Sequence, residues 1–128
     1  MKHIILIALA SIWLHSAQAI TVHTDSSNNM SYVNISPASV PTWLQYGNNA
    51  TQIKRLYVSL VSDNLSNVAT FTFQVAGEVV IDSNTRNYPF LKSGSFTISD
   101  TAYTNWNAND NTVPFQMIAP VLGFTIID

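Results

Sequence analysis

Cysteine is absent from this 128-residue chain, which excludes disulfides, thiolate nucleophiles and cysteine-held metals. Glutamate occurs once, as Glu78, so a carboxylate pair for glycoside cleavage would have to draw on aspartates. Asp63, Asp82, Asp100 and Asp110 fall where turns or strand ends are expected, which accounts for them on backbone grounds. The four glycines are scattered and form no phosphate-cradling loop. Charged residues make up 9% of the chain, too few to build the clustered basic surface that nucleic acids or anionic membranes demand. No stretch is long and apolar enough to span a bilayer, which takes about twenty residues.

The first nineteen residues, taken in order, match an export signal. Met1-Lys2-His3 is a short positive start, Ile4 to Leu14 is apolar, and Ala17-Gln18-Ala19 supplies the small-x-small pattern that a signal peptidase needs. Cleavage after Ala19 predicts a signal peptide over 1–19 and one domain over 20–128, placed in the periplasm, at the cell surface or outside the cell. The whole chain has a formal charge of −2; losing Lys2 leaves four cations against seven carboxylates, or −3. His23 is the only histidine beyond the leader. A lone histidine in a strand reads as a surface residue, and with no second base or nucleophile beside it the sequence predicts no enzyme.

What is present in quantity is Asn, Ser, Thr and β-branched or aromatic residues, a composition that favours short strands between polar turns. In Ile53 to Val61, Leu56, Val58 and Leu60 alternate with Arg55, Tyr57 and Ser59; in Val68 to Val75, Ala69, Phe71, Phe73 and Val75 alternate with Thr70, Thr72 and Gln74. A period of two over that length marks half-buried strands. Shorter strands are expected at Ile20–Thr24, Ser31–Ile35, Trp43–Tyr46, Glu78–Asp82, Ser95–Ser99, Phe115–Ile118 and Leu122–Ile126, with a polar loop over Asp100–Asn111. No helical apolar period is read over eleven residues or more. The expected architecture is all-β, a single immunoglobulin-like β-sandwich of about seven or eight antiparallel strands, with a small β-barrel as the alternative.

Two groups of residues carry candidate binding functions. Trp106 stands among Asn105, Asn107, Asn109 and Asn111, with Tyr103 three residues before it. A ring on a sugar face with amides reading the hydroxyls would form a stacking site from Trp106, Tyr103, Asn105 and Asn107, and Trp43 with Tyr46 offers a second patch. Asn105, Asn107 and Asn109 also match alternate places of a calcium loop, but too little negative charge gathers there, and neither a metal nor a cofactor is predicted. The second group lies at the ends of the mature chain. Ile20 and Val22 at the start, and Leu122, Phe124 and Ile126 at the finish, read as terminal apolar strands that could add to a neighbour's sheet. Four Asn-x-Ser/Thr sequons, at Asn29, Asn34, Asn49 and Asn64, follow from the composition alone.

These readings converge on an exported, non-enzymatic structural or adhesive protein, such as a surface-fibre, biofilm-matrix or adhesin subunit. Its partners would be other protein subunits or copies of itself. The alternative is a secreted carbohydrate- or ligand-binding module.

Overall fold

The structure is a computed structural model that describes residues 20–37 and 53–127. The expected leader, the Trp43–Tyr46 strand and the Trp43/Tyr46 patch lie outside the described residues. Ten elements follow in order: β1 (His23–Asp25), β2 (Met30–Pro37), β3 (Ile53–Asp63), β4 (Val68–Gly77), β5 (Val79–Val80), β6 (Arg86–Asn87), β7 (Phe90–Ser99), α1 (Asp100–Asn107), α2 (Val113–Leu122) and β8 (Phe124–Ile126).

Polar side chains close the hairpins. Asp25 Oδ1 accepts from the Ser27 backbone N–H at 2.9 Å, and Asn29, at φ 59°, completes the turn into β2. Between β3 and β4, Asn64 Oδ1 accepts the backbone N–H groups of Ser66, Asn67 and Val68 at 2.9–3.0 Å. These are the local bonds that make Asn and Asp turn formers. The resulting sheet is antiparallel in the order β1-β2-β3-β4-β7. β8 also pairs with β2, Ile35 opposite Ile126. Because Asn34 faces Arg55 of β3 while its carbonyl accepts from Ile127, β8 lies on the edge of β2 away from β3, in line with β1.

The sheet has one apolar face. Val33, Leu56 and Val75 form one cross-strand row, and Val58 and Phe73 the next, ending on Gly94. The Phe73 ring occupies the space that a Cβ at Gly94 would need, at 2.7 Å. Phe71 stacks on its neighbour Phe96 with centroids 5.5 Å apart. Each such side chain removed from water contributes roughly 1.5–3 kcal/mol.

The chain is mostly β, built on an antiparallel sheet of six strands, in keeping with the all-β class. The layer that closes the core is different from the one expected. Among the described residues no second sheet faces the apolar side; Tyr103 of α1 and Val113, Phe115, Ile118 and Ala119 of α2 cover it. Two expectations are corrected. The supposed loop over Asp100–Asn111 is helical through Asn107, and the supposed strand Phe115–Ile118 lies inside α2, together with Leu122. Phe115, Ile118, Ala119 and Leu122 follow the i, i+3, i+4, i+7 spacing that turns one helical face inward. Pro114 sits in the first turn, where its missing N–H costs nothing, and Gly123 ends the helix at φ 83°. The strand expected at Glu78–Asp82 shortens to Val79–Val80, paired only with Arg86–Asn87.

Candidate functional site

The opposite, polar face of the sheet carries rows of hydroxyls, Ser59–Thr72–Ser95 and Ser62–Thr70–Thr97. At the end where β1 and the β5–β6 ribbon meet, this face gathers a dense group of side chains. Tyr57 is almost fully buried and donates its hydroxyl to Asp25 Oδ2 at 2.6 Å. Arg55 Nη1 donates to the Tyr57 hydroxyl at 3.0 Å and to Asp25 Oδ2 at 3.3 Å. The guanidinium lies over two rings, 3.5 Å from the Tyr88 centroid and 4.0 Å from that of Tyr32. His23 stacks on Tyr32 at 5.2 Å, and its Nε2 lies 3.4 Å from the Asn34 amide. Phe90 meets Tyr57 edge-on at 5.3 Å. From the ribbon side, Tyr88 donates to Glu78 Oε2 at 3.1 Å, and Arg86 approaches Glu78 Oε1 at 3.5 Å.

The Arg55 and Asp25 side chains retain 16% and 12% of their exposure. A carboxylate so largely withdrawn from water persists only when its oxygens are hydrogen-bonded, as both Asp25 oxygens are here. Hydrogen bonds from Tyr57 and Ser27, with the charge of Arg55, hold the Asp25 carboxyl below its ordinary range. Burial and the bond to Asp25 push the Tyr57 hydroxyl up to about 12. Beside this group opens a polar cleft of about 310 Å³, bordered by Arg55, Arg86, Asp25, Asn28, Asn87 and Tyr88. Sequence reading missed it. Arg55 and Tyr57 were visible only as the outward residues of a strand, and nothing local places Asp25 or Tyr88 against them.

The residues of the predicted stacking site are partly brought together. Trp106, Asn107, Asn109 and Asn111 line an open cleft of about 350 Å³. The Trp106 ring is turned inward, edge-on to Phe71 at 5.3 Å and to Tyr103 at 5.7 Å, and is only partly exposed. Tyr103 is buried and donates to Asp63 Oδ1 at 2.7 Å, so its ring faces the core. Asn105 is exposed on α1 but does not border that cleft.

Of the residues expected to form terminal strands for addition to a neighbour, only some lie in strands. β1 and β8 both pair with β2 of their own sheet, and Leu122 belongs to α2 rather than to a strand. Ile20 and Val22 precede β1 and pack on the core beside Leu122 and Ile126, while Phe124 is buried in it. Ile20, Pro120, Phe124 and Ile126, with Gln116, Ala119 and Thr125, line a largely apolar groove of about 410 Å³, and none of these described residues is charged. Val121, Ile127 and Met117, each next in sequence to a lining residue, are exposed, Val121 to 78%.

Among the described residues no group of three His, Asp or Glu side chains is placed to hold a metal ion, and no helix is long and apolar enough to cross a membrane. No protein-family model matches the chain, and neither a curated protein nor a solved structure matches it.

Proposed function

We propose that this is an exported, non-enzymatic structural or adhesive protein that acts through contacts with other protein subunits, copies of itself first among them. The observation that carries the reading is the chain-end corner. A largely apolar groove whose described lining carries no charge is accompanied by three exposed apolar side chains, Met117, Val121 and Ile127, each next in sequence to a lining residue. Clustered apolar surface of this kind marks contact sites on soluble domains, and depletion of charge is typical of their centres. β1 and β8 each pair with β2 along one edge, so strand addition through their outer edges stays compatible with contact through side chains. Support for export comes from the leader-like residues 1–19. Support for a non-catalytic role comes from the polar cluster: Asp25 held ionised and Tyr57 held protonated across the neutral range are poorly placed for proton transfer.

Size-exclusion chromatography with light scattering, over a wide range of protein concentration, tests the reading. Concentration-dependent assembly that Val121→Asp abolishes without loss of Tm is the expected result. A monomer at every concentration would remove the self-contact. A second reading, a carbohydrate-binding module, draws on the cleft of Trp106 and its three asparagines. Because Trp106 also packs on Phe71, Asn107→Ala and Asn111→Ala are the sounder probes, and a glycan-array signal that neither variant lowers excludes this cleft.

A further inference from the structure

We propose that the cleft on the polar face is a binding site for a small hydroxylated carboxylate, of the size and charge of one hexuronic acid residue. The chain has two arginines, Arg55 and Arg86, and no others. They sit on different strands, β3 and β6, yet both border this one cleft. Asp25 balances one of the two charges and Glu78, 3.5 Å from Arg86, the other, so the group is neutral before a ligand arrives.

Hydrogen-bond supply points to such a ligand. Asp25 is already engaged: Oδ2 accepts from Tyr57 and Arg55, and Oδ1 from the Ser27 backbone and hydroxyl. The side-chain hydrogen bonds of Arg55 among the described residues both leave from Nη1, whereas a guanidinium carries five N–H donors. Two tyrosine rings hold that guanidinium in one plane, so little motion is lost when a ligand engages the other donors. Arg86 is half-exposed; its Nε faces Glu78 Oε1 at 3.5 Å, and its Nη groups remain to meet a carboxylate. The Asn28 side-chain oxygen is taken by the Met30 backbone at 3.0 Å, which leaves its NH₂ as a donor, and the Asn87 amide can read hydroxyls. A donor-rich wall calls for an acceptor-rich ligand, and about 310 Å³ is at the lower end for small-molecule sites, enough for a single sugar ring.

This site is independent of the chain-end contact, and the two fail separately. The test is a two-dimensional amide NMR titration of the purified protein with glucuronate, with glucose, acetate and inorganic phosphate as parallel arms. Glucuronate is expected to give saturable shifts at the Asn28 and Asn87 side-chain amides and at Arg55 Nε. Glucose, which lacks the carboxylate, and acetate, which lacks the hydroxyls, should each bind at least about tenfold more weakly, through the loss of a charge-assisted hydrogen bond in the first and of the neutral ones in the second. Arg86→Gln, at an exposed position, should weaken glucuronate by a similar factor with the Tm unchanged. A trigalacturonate arm separates sources: tighter binding than the monomer indicates a polysaccharide chain, and monomer binding alone indicates a free sugar acid. Absence of saturable shifts with glucuronate, an equal response to phosphate, or an Arg86→Gln titration identical to the wild type would overturn the proposal.

Discussion

Tyr57 brings a hydroxyl into a nearly waterless position, and its bond to Asp25 sets the chemistry of the polar face. Tyr57→Phe removes a donor from Asp25 and an acceptor from Arg55, and should cost about 1–2 kcal/mol in urea unfolding at neutral pH. The alkaline limb gives a sharper signature. In the unfolded chain a tyrosine ionises near its ordinary 10, whereas in the folded chain Tyr57 resists until about 12. Its contribution is therefore fully present below pH 10 and is lost as pH rises to 12, a change of roughly 2–3 kcal/mol. The wild type should lose that stability over this interval and Tyr57→Phe should not. Asp25 runs in the opposite sense. Its folded pKa is lowered from 3.8, so its contribution is present above that value and disappears as pH falls through the folded pKa. Asp25→Asn should flatten the acid limb of the same unfolding curve. Gly94 is a steric rather than an electrostatic case. A methyl there would stand 2.7 Å from the Phe73 ring, so Gly94→Ala should destabilise by about 1–3 kcal/mol, and Phe73→Leu in the same chain should recover part of the loss.

At the scale of elements, helix α2 rests on its ends and its inner face. Gly123 has φ 83°, and a Cβ there would meet no atom within 4 Å. Gly123→Ala thus isolates the backbone cost of the left-handed region, expected at about 1 kcal/mol in thermal unfolding with no change in the core. The same helix explains why one part of the fold was misread. Its spacing of Phe115, Ile118, Ala119 and Leu122, the early Pro114 and the closing Gly123 were all visible as helix signals. Pro120 within the run suggested a break between strands, yet it is accommodated inside the helix. Helix α1 was harder to see, because Asn and Thr have weak helical propensity and its inward residues number only Ala102, Tyr103 and Trp106. The hairpins were clear because both signals, period-two alternation and Asx turns, are local.

The whole molecule presents two surfaces of different character. The chain-end corner is apolar and joins α2 to β8, while the Arg55 cleft is charged and lies where β1 and the β5–β6 ribbon meet over the far face of the sheet. With no shared residue between them, their functions should be separable. Val121→Asp should leave glucuronate shifts intact, and Arg86→Gln should leave assembly intact in light scattering. Loss of both properties from either single substitution would point to one coupled surface.

Alternation of side chains, turn chemistry and sparse charge were enough to specify that the chain forms antiparallel strands, where β3 and β4 run, and most of their inward residues, though Leu60, read as inward, is half-exposed and β7 begins at Phe90 rather than Ser95. Each of these follows from interactions within a few positions along the backbone. Folding alone decided that helices rather than a second sheet cover the apolar face, that the terminal strands pair with β2, and that Arg55, Asp25, Tyr57 and Tyr88 meet. Those outcomes depend on contacts between distant segments, such as the pairing of Asn34 with Arg55 and the hydrogen bond from Tyr57 to Asp25. Their geometry is set by how whole elements pack, which no local pattern encodes.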